Sequence, residues 1–527
     1  MSINLLEKID LDDVLAKFSI RGRYHVVNGL WLILGLAFNT LCYCSYVFIA
    51  EEIKYSFTYS CANDTLSLRY INKTLNWTYQ VQNITSSTCS DPNPCQQWIY
   101  ENPHSFVAEF QLACQEWKRT LVGPAHIFGY SVGVTLIGSF TDRFGRKPLA
   151  VITGITGAVC GLAKSFATYY WIYIAFEFLE ASLGDPYLPL YTLGLEMVAT
   201  KSRATYMTTC SLGLVIGGMS FPLIKWLVPY WRTCLRVMYT PGLLFILLIY
   251  LIDESPRWLL TKGKINIAVQ NIENAAKIDK LEIEENLNMI SYEQDVSANF
   301  TTVIADTFRS RSLLKRFFVC VVWWYTCIFV SHGLTITSVL LEGNKYVNFA
   351  LVFLMRLPSS ILAACVLNKF NRKGPLMSCF IACGLMCITH PFIPKDVLWL
   401  VITMFMTSKL MTGLSFTILY IFTSELFPTY TRNSMQALCS ALGRVGGIIA
   451  TQMPLLRAYW TGLPIVLFGV TSLVAAFATL LVPDTGKACL PDTVRQAESL
   501  DATESRTSQK KYNDSSCSRK NRTDFNE

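Results

Sequence analysis

The chain has 527 residues, of which 52% are hydrophobic and only 16% are charged, with a formal net charge of +8. A soluble protein carries about 25% charged residues, so this composition excludes an ordinary soluble domain and points to the membrane. The basic residues cluster at the ends of apolar runs, which suits membrane orientation and excludes a nucleic-acid-binding surface.

Within the expected cytosolic N-terminal segment 1–28, the first 24 residues are mixed and charged, with neither the apolar core nor the cleavage site of a signal peptide, so the first membrane helix is expected to act as the targeting signal. A helix needs roughly 20 apolar residues to cross a bilayer. Twelve windows fit: 29–50, 120–140, 148–166, 168–195, 205–228, 237–252, 316–340, 347–367, 376–394, 397–420, 434–455 and 462–482. The sixth is short and can be extended toward Trp231. The fold class expected is an all-α membrane protein with twelve transmembrane helices in two six-helix halves, 29–252 and 316–482.

Between the first two windows lies a polar loop, 51–119, with Cys61, Cys89, Cys95 and Cys114 and sequons at Asn63, Asn72, Asn76 and Asn83. Sequons are used only on the luminal side, so this loop is expected to be an extracellular, glycosylated and disulfide-linked cap, with three pairings open. Three further sequons, at Asn299, Asn513 and Asn521, fall on the inside in this topology and are read as chance matches. With the cap outside, the basic short loops fall inside: Arg143, Arg146 and Lys147; Lys201 and Arg203; Lys369, Arg372 and Lys373; Arg432. The outer short loops carry scattered charges such as Lys164, Lys345 and Lys395. Both termini are then cytosolic. So is the linker 253–315, where 264–295 alternates apolar and charged residues at helical spacing. The tail 483–527 is rich in Ser, Thr, Lys and Asn and is expected to be a disordered cytosolic segment.

An internal duplication runs through the chain. D-R-F-G-R-K at 142–147 matches N-K-F-N-R-K at 368–373, and E-M-V-A-T-K-S-R at 196–203 matches E-L-F-P-T-Y-T-R at 425–432. Asp253-Glu254 after the sixth window is echoed by Pro483-Asp484 after the twelfth. Two parallel halves are the arrangement of one large class of secondary transporter. In the turn between spans two and three, Gly138 and Gly145 allow close backbone approach. Asp142, Arg143, Arg146 and Lys147 are expected to form gating pairs with acids on the other half. Glu196 with Arg203 and Glu425 with Arg432 are the candidates at that depth. Pairs that form and break as the halves rock bias a two-state equilibrium.

The stretch G-S-F-T-D-R-F-G-R-K resembles the loop 2–3 motif of the major facilitator superfamily. The cysteine- and sequon-rich first loop, W-R at 231–232, E-S-P-R-W-L at 254–259 and E-L-F-P-T-Y-T-R-N at 425–433 resemble its organic cation/anion/carnitine transporter family over about 18–485. The resemblance implies movement of small organic ions across a plasma membrane by alternating access, with a coupling ion or counter-substrate as a further partner.

Ionisable residues at membrane depth are costly and therefore candidates for function. Arg444 in span eleven stands where the resemblance implies Arg in anion and carnitine carriers and an acid in cation carriers. A guanidinium offers a bidentate fork to a carboxylate. Arg356 in span eight also stands where cation carriers place an acid. Lys409 in span ten and Asn39 in span one match polar positions of the family. Span four departs from the pattern: Glu177 replaces a usual base, and Glu180 shares its helix face. With Asp185 these acids are expected either to neutralise Arg356, Lys409 or Arg444, or to bind a proton or an amine. Trp324 and Tyr325 match an aromatic pair suited to stacking and cation–π contact. His332, with Ser331, replaces a usual pair of tyrosines and is the one histidine read at membrane depth.

No catalytic constellation, metal-ligand spacing or nucleotide-binding motif is present in the sequence, so an enzyme, a metal site and a cofactor are not expected. The leading expectation is a secondary transporter of organic ions, leaning anionic or zwitterionic. A cation or carnitine-type carrier using the span-four acids is the alternative. A non-transporting membrane sensor of the same fold is the second alternative.

Overall fold

The computed structural model describes residues 9–53, 55–59, 96–282, 290–291, 309–394, 396–428 and 431–484. The four sequons, with Cys61, Cys89 and Cys95, lie outside the described residues.

Twelve spans follow one another. The first half has span 1 (Arg23–Ile49), span 2 (Glu116–Phe144), span 3 (Arg146–Lys164), span 4 (Tyr170–Leu183 with Tyr187–Glu196), span 5 (Thr200–Leu227) and span 6 (Trp231–Leu251). The second half has span 7 (Arg311–Leu340), span 8 (Lys345–Leu354 with Arg356–Lys369), span 9 (Lys373–Phe392), span 10 (Leu398–Leu426), span 11 (Arg432–Gln452) and span 12 (Leu463–Thr479). Among the described residues, eight are long and apolar enough to cross a membrane by length and composition alone. The other four have visible reasons to fall short. Span 3 carries bases at both ends, span 4 is split, span 11 holds Arg444, and span 12 has 17 residues.

The split in span 4 is written as Gly184-Asp185-Pro186. Proline lacks the N–H that would continue the helical ladder and disfavours helix before it. The Asp185 carboxylate restarts the helix by accepting the Tyr187 N–H at 3.0 Å. Gly184 also lies against the backbone of Gly157 in span 3, where a side chain on either residue would collide with the other strand of backbone. Span 8 loosens at Met355 because Pro358 cannot donate to the Leu354 carbonyl.

Each half has its own buried core. Leu32, Leu190, Leu193 and Met207 belong to the first, and Trp323, Phe422, Leu376 and Cys320 to the second. A third cluster crosses between halves: Phe48 and Phe221 pack with Ile336 and Phe349. It lies at the ends of the spans nearest the long first loop. There the strands Tyr55–Tyr59 and Gln96–Tyr100 pair antiparallel, and Cys114 is disulfide-bonded.

On the opposite face, short helices Leu11–Ala16, Pro256–Thr261 and Ile265–Asp279 cap the first half. The amphipathic pattern of 264–295 thus gives a surface helix over its first part. Leu11, Val14 and Leu15 bury against Val269, Ile272 and Ala276. Asp12 pairs with Arg257 and accepts a hydrogen bond from Thr200. Although partial burial opposes it, the Thr200 hydroxyl and the Arg257 guanidinium hold the Asp12 carboxyl below its usual range.

Candidate substrate chamber

The opening between spans 2 and 3 is a single residue, Gly145, at φ 111°, a region that favours glycine. Span 3 therefore begins at Arg146, and its free backbone N–H groups face the Glu254 carboxylate at 3.1 Å from Arg146 and 3.2 Å from Lys147. A carboxylate at a helix N-terminus meets both orphan donors and the helix dipole. Burial pushes the Glu254 carboxyl up, and the N–H groups of Ser255, Lys147 and Arg146 work against that rise. The E-S-P-R-W-L stretch thus clamps the loop 2–3 turn, with Ser255 capping its own helix and the Trp258 indole donating to the Asp142 carbonyl at 3.0 Å.

The expected pairing of this turn with the other half is corrected by the structure. Arg146 pairs with Glu196 at 2.9 Å and with Asp142 at 3.1 Å, both in its own half. The short turn sends its side chain back toward the neighbouring span 4. In the second half Arg372 pairs with Glu425 at 3.2 Å. Arg203 donates to the Leu195 carbonyl at 3.1 Å, Arg143 lies over the Phe144 ring at 5.5 Å, and among the described residues the Arg432 Nε and Nη2 make no hydrogen bond.

Side-chain hydrogen bonds between the halves, among the described residues, lie toward the first-loop face. Thr120 and Gln452 exchange two, at 3.1 and 3.2 Å. Lys345 donates to Glu51 at 2.5 Å, and Tyr43 bonds His332. Phe48 stacks on Tyr346 at 5.6 Å and meets Phe349 edge-on at 5.1 Å. This end of the interface is shut.

Arg444 and Arg356 lie deeper along the same interface. The Arg444 guanidinium sits 4.6 Å from the centre of the Tyr130 ring, across the halves. It is within electrostatic range of Asp185, Tyr43 and His332. Arg356 is exposed and within electrostatic range of Tyr130, Tyr187 and Tyr191, which belong to the other half. Among the described residues, neither guanidinium has a carboxylate within 4.0 Å. Tyr187 and Tyr191 stack at 5.6 Å, and Asn39 donates to Asp185 at 2.9 Å. Arginines, tyrosines and one carboxylate held by neutral donors thus converge where the halves meet.

The remaining candidates divide. Lys409 spends its three protons on span 7: the Ser331 carbonyl at 2.8 Å, its hydroxyl at 3.0 Å and the Thr335 hydroxyl at 2.8 Å. His332 donates from Nδ1 to the Ile328 carbonyl at 2.9 Å, which leaves Nε2 to accept from the Tyr43 hydroxyl. Tyr325 is half-buried and stacks on Phe329 at 5.6 Å. Trp324 does not line the chamber. It is buried in the second-half core with its indole donating to Thr423 at 3.2 Å, because this face of span 7 packs on spans 10 and 11.

Glu177 and Glu180 are likewise removed from the three bases they were expected to neutralise. Lys164 donates to Glu177 at 2.8 Å and to Glu180 at 2.6 Å, and all three are buried. The His126 Nδ1–H donates to Glu177 at 2.8 Å, and the Tyr239 hydroxyl donates to Glu180 at 2.8 Å. Lys164 is therefore a membrane-depth residue and not an outer-loop charge, and His126 is a second intramembrane histidine beside His332. A signal for both was present: His126 falls inside the second apolar window and Lys164 inside the third. Ligand atoms of His126, Glu177 and Glu180 lie within 4.8 Å of one another, but the Lys164 ammonium bonds both carboxylates and supplies the positive charge a metal would bring.

A family model described as Major Facilitator Superfamily matches residues 120–451. Solute carrier family 22 member 1 of Oryctolagus cuniculus is 29% identical over 85% of this chain and 84% of its own length. The Bos taurus member 1 is 30% identical over 77% of this chain and 73% of its own. Solute carrier family 22 member 3 of Rattus norvegicus is 29% identical over 77% and 74%. In solved structures, the inward open conformation of the xylose transporter XylE from E. coli matches with a TM-score of 0.57 at 15% identity, covering 90% of this chain and 99% of that one. At that identity the likeness shows the fold alone. The chain belongs to solute carrier family 22 of the major facilitator superfamily, and it is a multi-pass membrane transporter of organic ions, not an enzyme.

Proposed function

We propose that the substrate is a small organic anion or a zwitterion that presents a carboxylate, read by Arg444 and Arg356 between the halves. The observation that carries this reading is the pair of guanidiniums with no carboxylate partner among the described residues. A charge at membrane depth without a paired counter-charge is costly, so a substrate carboxylate gains by pairing with these guanidiniums. The bidentate geometry of Arg suits it. The acids that would favour a cation are occupied: Glu177 and Glu180 hold Lys164, which leaves Asp185 as the chamber's acid. A single acid beside two guanidiniums fits the ammonium of a zwitterion. The stacked Tyr187 and Tyr191 and the Tyr130 ring supply an aromatic wall.

The first-loop face is the extracellular side in this reading, both termini are cytosolic, and the membrane is the plasma membrane. The contacts between halves on the first-loop face then describe an inward-facing carrier. Arg146–Glu196 and Arg372–Glu425 hold each half rigid while the halves rock, and Arg143, Lys147 and Arg432 regroup on the inner face.

The test is uptake into expressing cells of four labelled probes: a dicarboxylate, an aromatic monocarboxylate, carnitine and a quaternary ammonium. Saturable uptake of a carboxylate-bearing probe is expected. Uptake of the quaternary ammonium alone would overturn the reading and move recognition to Asp185.

A further inference from the structure

The knot of His126, Lys164, Glu177 and Glu180 is not needed to hold a substrate carboxylate, yet it places four ionisable groups in the buried interior of the first half. Its charges do not cancel. Two carboxylates face one ammonium, so with a neutral imidazole the knot carries one net negative charge. Other polar groups packed on it supply no compensating cation. Tyr239 from span 6 is a neutral donor, and the buried Tyr173 hydroxyl of span 4 is a further neutral group in electrostatic range of both acids. From span 1, Cys42 and Tyr46 lie in range as neutral groups, and from span 3 Cys160 does. Asp185 adds a further negative charge nearby, which Arg444 faces from the other half. An uncompensated buried charge at this depth is strongly disfavoured.

His126 is built to resolve the imbalance. Its ring is 2% exposed, and Nδ1 is committed to Glu177 at 2.8 Å. Nε2 keeps its lone pair and makes no hydrogen bond among the described residues. The ring lines a cavity of about 20 Å³ shared with Asn39, Tyr43, Tyr130, Glu180 and Asp185, room for about one water.

We propose that this knot is a proton-binding site and that its proton is the ion coupled to transport, an inference that rests on the chain being a secondary transporter. Water in the cavity delivers a proton to His126 Nε2. The imidazolium keeps its Nδ1–H on Glu177, no covalent bond other than the new N–H changes, and the knot goes from one net negative charge to neutral. The sealed, neutral knot is the form that moves through the transition between inward- and outward-facing states. The cavity's contact with Tyr43 and Tyr130 ties it to the residues that touch His332 and Arg444 across the halves.

The sequence contains 5 histidines, so a protein labelled on histidine carbon gives a resolvable NMR spectrum. The full chain in lipid nanodiscs is titrated with pH, with the His126 signal assigned by its absence in His126→Gln. His126 is expected to take up a proton within the range where the protein stays folded. Glu177→Gln, which keeps the shape and removes the charge, is expected to weaken that uptake by at least about tenfold in proton affinity. A His126 that stays neutral throughout, or one indifferent to Glu177→Gln, would overturn the site. This readout needs no substrate, so it fails independently of the carboxylate reading. The coupling is read in proteoliposomes carrying an internal pH dye, using whichever of the four probes is taken up. Wild type is expected to move protons with the probe, and His126→Gln to carry the probe without protons or not at all. Probe-driven proton movement that survives in His126→Gln would overturn the coupling.

Discussion

The two faces of the interface between halves are built on different principles. Toward the first loop, the halves are joined to one another, through Thr120 with Gln452, Lys345 with Glu51 and Phe48 with Tyr346 and Phe349. On the opposite face, the strongest charges are tied within each half, Arg146 to Glu196 and Arg372 to Glu425. The difference separates two jobs. Neutral hydrogen bonds, aromatic contacts and the more exposed ion pair are cheaper to break and remake, so they suit a gate. The ion pairs within the halves are more deeply buried than Lys345–Glu51 and cost more to break in each cycle, so they suit the rigid bodies that the gate joins.

The largest expected effect comes from breaking a rigid body. Lys164→Met leaves Glu177 and Glu180 buried without their ammonium and is expected to cost about 3–5 kcal/mol. Thermal unfolding of purified protein in detergent measures it; a loss near zero would show that the knot does not hold the first half together. Next, Glu196→Ala removes the better-buried partner of Arg146, whose other carboxylate, Asp142, is largely exposed. About 2–3 kcal/mol of stability is expected to go, with uptake falling in step with surface amount. A gate mutation should behave in the opposite way. Gln452→Ala removes both hydrogen bonds to Thr120 and is expected to cost the inward-facing state about 1–2 kcal/mol, a shift of roughly tenfold toward outward-facing. Spin-label distances across the first-loop face would report it as a new, longer population while thermal stability changes little. A large stability loss with no new population would break the distinction between gate and body.

The smallest effect concerns the cap on the first half. Asp12 is held below its usual range by Thr200 and Arg257, so its contribution is complete above the unfolded value near 3.8 and is lost as pH falls through the lower folded value. Protease protection of residues 9–20 is expected to fall in acid for wild type and to be lower and flat in Asp12→Asn. Equal acid sensitivity in both would remove Asp12 from that contact.

Much of the architecture was legible because bilayer thickness fixes the length of an apolar run and the duplicated charge motifs fix its twofold organisation. The expected window 168–195 runs unbroken through span 4 and misses its break, although Gly184-Asp185-Pro186 carries the signal. Arg444 and Arg356 stood out because arginine is rare at that depth. What sequence could not show was partnership. Glu177 and Lys164 are 13 residues apart on different helices, and only packing of span 3 against span 4 brings them within 2.8 Å. Lys164 closes an apolar window and so reads as a loop residue until its burial is known. Trp324 and Tyr325 are neighbours on one helix, yet one faces the core and the other is half-buried, a difference of 100° that composition does not encode. Arg146 was recognisable as paired, but its partner's half depended on the tightness of a one-residue turn.

The claim on which the account turns is that Arg444 reads a carboxylate. The direct test is uptake of a labelled aromatic monocarboxylate and of a quaternary ammonium by wild type, Arg444→Lys and Arg444→Ala at matched surface amounts. The account predicts carboxylate uptake in wild type, a partial loss in Arg444→Lys, which keeps the charge but not the fork, and a loss of at least about tenfold in Arg444→Ala. Undiminished carboxylate uptake by Arg444→Ala, or wild-type uptake of the ammonium alone, would contradict it.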